Sequence, residues 1–156
     1  MVNKIDNEII IKLQKGKYRD EVRLFSKPFD IMELFIIVIV LRIRNIFSQA
    51  EMKKVFIGMI FLFYLKNYFK RERPFIVNSN IINRCRKRLD YHSFPSGHSF
   101  ASFLVSSMLY RKFNNPLLFL IPLLVGFSRV YLGVHYPSDV LFGYIFSFIY
   151  EVIYGL

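Results

Sequence analysis

His135 and Asp139 stand four residues apart with Pro137 between them, a spacing that suits nucleophilic chemistry on phosphorus. Pro137 is a good first helical residue, and a helix starting there sets the carboxylate one turn from the imidazole. The carboxylate can then hold one ring nitrogen and leave the other free to attack. Arg129, six residues upstream, adds a fixed cation whose planar donor fork fits phosphoryl oxygens. A plainer reading also exists, with an arginine at a membrane interface and a histidine closing a helix end. Short motifs alone do not choose between the two.

Two further patterns point the same way. In Pro95-Ser96-Gly97-His98, Ser96 is a good N-cap and Gly97 lets the backbone approach a ligand. The unpaired N–H groups of a helix start there would bind an anion. Alone, the tetrapeptide is also an everyday turn. Lys66 and Arg73-Pro74 form the third pattern. A spacing of seven places both cations on one helical face if the helix runs on to the proline.

The elements that must carry these residues are largely apolar. Of 156 residues 54% are hydrophobic, with 18 Phe and 10 Tyr, which is too much apolar surface for a soluble core of this size. The expected fold is all-α: a polytopic integral membrane helical bundle of about five transmembrane helices plus an N-terminal interfacial helix. A formal charge of +11 suits nucleic acid, anionic lipid or a phosphorylated substrate, and membrane character sets nucleic acid aside. Cys85 is the only cysteine, which leaves no disulfide framework or thiolate metal site, and it reads as a stray thiol in a basic loop. The three isoleucines at residues 9–11 are too short a run for a signal peptide, so the first span must direct insertion.

The chain divides at about residue 30. Residues 1–30 mix seven Lys/Arg with five acids around Ile9, Leu13, Val22 and Leu24, and read as an amphipathic interfacial segment or a solvated arm. Residues 31–156 form the second unit. Spans are expected from Ile31 to about Phe47, from Val55 to Phe69 after a polar loop Ser48–Lys54, and from starts near Ser96, Asn115 and Pro137. Several are shorter than the ~20 residues that cross a hydrocarbon core, so tilt or local thinning is required. Five crossings put residues 1–30, 70–97 and 129–136 on one side, and 48–54, 111–115 and the C-terminus on the other. The three patterns then meet at one membrane surface.

Taken together, Lys66-x6-Arg73-Pro74, Pro95-Ser96-Gly97-His98 and Ser128-Arg129-x5-His135-x3-Asp139 resemble the three-part signature of the type 2 phosphatidic acid phosphatase superfamily. Order and spacings match throughout residues 66–139. The resemblance implies that His135 attacks phosphorus to give a phosphohistidine, that Asp139 orients it, and that His98 protonates the leaving group. Lys66, Arg73, Arg129, Ser96 and Gly97 would cradle the phosphoryl oxygens. It implies no metal or other cofactor. On this face only Glu72, Asp90 and Asp139 are counted as carboxylates, too few among so many cations for a two-metal centre. His92 lies outside the signature and reads as a polar loop residue.

The expected partners are the bilayer and an anionic lipid substrate, with the oligomeric state left open. Arg84, Arg86, Lys87 and Arg88 are candidate headgroup ligands, and they favour a headgroup with more than one anionic group. The reading leans to lipid A 1-phosphate, with undecaprenyl diphosphate and phosphatidylglycerophosphate as alternatives. A transporter, or a lipid-binding protein without hydrolase activity, would explain the cations but not two histidines with an aspartate. The reactive side holds seven cations in residues 1–30, eight from Lys66 to Arg88, and Arg129, against six opposite. The positive-inside rule places such a side in the cytoplasm, whereas the resemblance places it in the periplasm of a bacterial inner membrane. The expected location is accordingly a multi-pass position in the inner membrane with the reactive side in the periplasm.

Overall fold

The computed structural model describes residues 4–16, 22, 24, 27–85 and 92–155. Arg86, Lys87 and Arg88 therefore lie outside the described residues, as do parts of the N-terminal segment. Among the described residues the regular elements are all helical: α1 (Lys4–Leu13), α2 (Ile31–Ile43), α3 (Gln49–Phe69), α4 (Pro74–Val77), α5 (Gly97–Phe113), α6 (Leu120–Tyr131) and α7 (Pro137–Gly155). Short 3₁₀ turns at Lys27–Phe29 and Pro116–Phe119 lead into α2 and α6.

Local chemistry sets the helix ends. Ser48 and Glu51 form a capping box, with Glu51 N donating to Ser48 Oγ at 3.1 Å and Ser48 N donating to Glu51 Oε2 at 2.7 Å. This starts α3 at Gln49, so most of the expected Ser48–Lys54 loop is helix: the cap supplies partners for N–H groups that a polar loop would leave to water. At its other end α3 stops at Phe69 because Lys70 adopts the left-handed conformation, φ 48°. The helix therefore does not run on to Pro74. Pro74 instead opens the short α4, where its missing N–H costs nothing.

The central helix is α5, which packs against α3, α6 and α7. Its small buried residues Ser99, Ala101, Ser102 and Ser106 admit close neighbours. Phe100, Leu104 and Met108 of α5 share a core with Leu34 and Val38 of α2, Val55 and Leu62 of α3, and Tyr150 of α7. Helix α1 docks on α6 and α7, where fully buried Ile10 packs with Ile81, Val130, Tyr136 and Val140. Gln14, just beyond α1, donates to Ile82 O at 2.7 Å and accepts from Ile82 N at 2.9 Å. The N-terminal segment is thereby stitched to the loop after α4.

Ion pairs sort the two ends of the bundle. At one end Glu51 pairs with Lys112, and Glu151 with Lys54 and Arg111. At the other, Asp6 pairs with Arg71, and Asp30 stands in hydrogen-bond contact with His98. Five helices, α2, α3, α5, α6 and α7, occupy the places of the five expected spans. Among the described residues, however, no helix is both long and apolar enough to cross a membrane. The physical reason lies in the ends: α2 and α6 have only 13 and 12 residues, and the 21-residue α3 carries Glu51, Lys53, Lys54 and Lys66.

Candidate active site

Three chain segments meet at the end of the bundle marked by Asp6 and Asp30. The loop between α6 and α7 presents His135, and Asp139 follows in the first turn of α7. Gly133 makes this loop possible, since its φ of +72° and the 2.6 Å gap from a built Cβ to Ile82 O both exclude a side chain. His135 Nδ1 lies 3.5 Å from Asp139 Oδ2, within ion-pair distance but without a hydrogen bond formed. Its Nε2 lies 3.4 Å from Arg73 Nη1, which also donates to Val134 O at 2.7 Å. Thus one nitrogen faces a carboxylate and the other faces a guanidinium.

Burial, followed by the charges of Arg73, Lys66 and Arg129, pushes the His135 pKa well below the usual histidine range and so disfavours the charged ring. A neutral ring with its Nδ1 proton towards Asp139 has a lone pair on Nε2.

The second segment is the start of α5. Ser96 caps the helix, accepting from Ser99 N at 3.4 Å and from Ser99 Oγ at 2.9 Å. Its own N–H donates to Asp139 O at 3.0 Å, tying the start of α5 to that of α7. A Cβ on Gly97 would stand 3.0 Å from Leu62 Cδ2 and 3.9 Å from Lys66 Cε, so glycine lets the helix start close against α3. His98 follows, with Nε2 2.7 Å from Asp30 Oδ1. Arg129 and Lys66 are near enough to act on it electrostatically.

The third segment is the end of α3 and the extended stretch after it. Lys66 Nζ donates to His92 O at 2.9 Å, so the backbone of a residue read as a plain loop position anchors this lysine. Arg73 reaches the site from the extended stretch, not along a helical face. Arg129, 2% exposed on α6, also interacts with His98 and with the thiol of Cys85. Cys85 is therefore no stray loop thiol: it is buried with Leu132 and Val134 against the arginine.

The structure thus brings together Lys66, Arg73, Ser96, Gly97, His98, Arg129, His135 and Asp139 around one end of the bundle. Arg84 is employed elsewhere. It donates to Gly16 O at 2.8 Å and to Gln14 O, and lies over the Tyr131 ring at 5.1 Å. These contacts clamp the end of α1 and draw on two of the donors that the expected headgroup role would use.

Three residues escape the sequence reading: Asp30, which holds His98, and Arg71 and Asp6, which surround Asp139. Arg71 Nη1 donates to Asp139 Oδ1 at 2.7 Å, and Arg71 Nη2 to Asp6 Oδ2 at 3.2 Å. One signal was present for Arg71. It stands two residues before Arg73, and in extended chain alternate residues share a face. Asp6 and Asp30 offered no such signal, being single acids in a mixed-charge segment. Both add to the three carboxylates counted from sequence. Among the described residues no three His, Cys, Asp or Glu side chains gather as a metal site.

The family model described as PAP2 superfamily matches residues 34–154. Undecaprenyl-diphosphatase BcrC of Bacillus subtilis is 33% identical over 87 residues, covering 54% of this chain and 44% of that protein. The putative undecaprenyl-diphosphatase YbjG of Escherichia coli is 37% identical over 78 residues, 48% of this chain and 38% of its own. Phosphatidylglycerophosphatase B of Bacillus subtilis is 42% identical over 65 residues, 32% of its length. The chain thus spans less than half the length of these curated relatives. Among solved structures, LpxE of Aquifex aeolicus aligns with a TM-score of 0.82 at 24% identity, covering 98% of this chain and 96% of that one. A transmembrane PAP2-type phosphatidylglycerolphosphate phosphatase of Bacillus subtilis aligns at 0.75 and 19% identity, covering 99% and 86%. At these identities the two structures speak for the fold.

Proposed function

The chain belongs to the PAP2 superfamily, and on that premise we propose that it is a membrane lipid phosphatase that works through a phosphohistidine without a metal. The observation that carries this reading is the setting of His135, with Asp139 3.5 Å from Nδ1 and Arg73 3.4 Å from Nε2. A phosphoryl group held by Arg73, Lys66 and Arg129 would meet the Nε2 lone pair in line. As the P–N bond forms, positive charge grows on the ring and Asp139 stabilises it. His98 gives its proton to the departing oxygen, then takes one from the water that cleaves the P–N bond. Asp30 is the counter-charge for protonated His98.

The surface of the bundle supports a lipid substrate. Large apolar side chains stand outward on α2 (Met32, Ile36, Ile43), α3 (Ile60, Phe63) and α7 (Leu141, Phe148, Ile153), each more than half exposed. Apolar surface on this scale marks contact with lipid or another protein. Helices of 21 and 19 residues reach about 30 Å, near the thickness of a hydrocarbon core. The reactive groups then sit at headgroup level, in this reading on the periplasmic side. The substrate is a lipid phosphomonoester or diphosphate. With Arg84 committed to α1, the lean towards lipid A 1-phosphate rests on Arg86, Lys87 and Arg88. The curated relatives' names add undecaprenyl diphosphate and phosphatidylglycerophosphate to the panel.

The test is release of inorganic phosphate from these three lipids and phosphatidic acid by protein purified in detergent. Turnover of at least one is expected in excess EDTA, and millimolar vanadate should inhibit by mimicking pentacoordinate phosphorus in the same cradle. Strict dependence on added Mg²⁺ would overturn the metal-free mechanism, and no release from any lipid would overturn the function.

A pH dependence follows from His135. The acid limb of kcat/KM should lie below the ordinary histidine value of about 6.5, because protonating the free ring removes the nucleophile. Among the neighbouring cations Arg73 depresses this group most. Arg73→Gln should therefore lower the rate and also move the limb to higher pH. A limb that stays in place, or moves down, would show that Arg73 does not set the charge state of His135.

A further inference from the structure

The carboxylate of Asp139 is fully buried and both its oxygens are engaged. Oδ1 accepts from Arg71 Nη1 at 2.7 Å, while Oδ2 accepts from Tyr136 N at 2.9 Å and faces His135. Asp139 is the third residue of α7, so its bond to the Tyr136 N–H is half of a capping box. Tyr136, the capping position, has no short side chain to complete it. The missing acceptor comes from α1, since Ser138 N donates to Asp6 Oδ1 at 3.3 Å and Ser138 Oγ donates to Asp6 Oδ2 at 2.5 Å. Arg71 closes the ring. It donates to Ser138 Oγ at 2.8 Å and to Asp6 Oδ2 at 3.2 Å, with its guanidinium 3.9 Å over the Tyr136 ring.

We propose that Asp6 of α1 is a positioning residue for the Asp139–His135 pair, acting through Arg71 and Ser138. The proposal rests on the role given to His135 above. Its physical basis is charge balance in a site where Asp6 is 5% exposed and Asp139 is fully buried. Arg71 alone against Asp139 would neutralise the carboxylate and leave little charge for the imidazolium that forms during attack. Asp6 neutralises Arg71 instead. The net negative charge then remains on Asp139, whose Oδ2 the same arginine turns towards the ring. Buried ion pairs that lose one partner leave the other charge uncompensated, and here that charge would compete with His135 for Asp139.

Asp6→Asn separates the charge role from the cap role, since the amide oxygen can still accept from Ser138 N. On a lipid the wild type hydrolyses, Asp6→Asn should lower kcat about tenfold and change KM less than about twofold, the pattern of an interaction made in the transition state. In an Asp139→Asn background the same substitution should have almost no effect, because residues acting through one another are not additive. Arg71→Lys, which cannot bridge both carboxylates, should repeat the loss and serves if Asp6→Asn does not fold. A second readout needs no turnover: the ring nitrogen-15 shifts of His135, assigned among the three histidines by substitution. These should move from one tautomer in the wild type towards a mixture in Asp6→Asn. An unchanged kcat, or an equal loss in the Asp139→Asn background, would overturn the proposal. If the wild type hydrolyses no lipid, the lipid phosphatase reading fails, and the ring shifts alone decide: a change on Asp6→Asn upholds the positioning role, and no change removes it.

Discussion

His135→Ala should reduce phosphate release by about 10⁴-fold or more, to the level of protein-free controls. No other described side chain stands where it could replace the ring between Asp139 and Arg73. Rapid quenching into alkali, where phosphohistidine survives, should recover label on the wild type after a labelled lipid phosphate is added, and none on His135→Ala. Asp139→Asn should be the milder change, about 10²-fold in kcat with the fold intact, since the ring keeps its polar neighbour and loses only its counter-charge. Label on His135→Ala, or a wild-type kcat in it, would remove the phosphohistidine.

Much of the site is legible because its parts are local. Pro137 fixes where α7 begins, which places Asp139 one turn on and leaves His135 in the loop before it. Ser96 and Gly97 mark the start of α5 for equally local reasons, a cap and a close approach to Leu62. The order of apolar runs and charges also fixes which ends converge, as the pairs Asp30–His98 and Glu51–Lys112 at opposite ends illustrate. What escaped the sequence depends on long-range contact. Asp6 and Arg71 are 65 residues apart and Asp30 and His98 are 68 apart, with no periodicity to relate them. The contacts of Arg84 were hidden for a similar reason. In sequence it stands beside Arg86, Lys87 and Arg88, whereas in space the end of α1 takes up its donors. Lys70 shows the limit of helical spacing as an argument: a single left-handed residue ends α3 and turns Arg73 into an extended-chain contribution.

His98→Ala should show a loss that depends on the leaving group. The acid's contribution grows with the basicity of the oxygen that departs. A lipid alcohol leaves as an alkoxide unless protonated, so hydrolysis of phosphatidic acid should fall by about 10³-fold. An aryl phosphate leaves as a stabilised phenoxide and should fall only about tenfold. A lipid diphosphate lies near the aryl case, because its leaving group is itself a phosphate. The ratio of losses across one panel therefore also reports on the substrate: if the best wild-type substrate is a diphosphate, its loss in His98→Ala should track the aryl ester. Asp30→Asn should show the same ranking at smaller size, since it removes the counter-charge 2.7 Å from the ring and leaves the acid itself in place. Equal losses on alkyl and aryl esters would take the acid role from His98. A graded loss in His98→Ala with none in Asp30→Asn would leave Asp30 a purely structural contact.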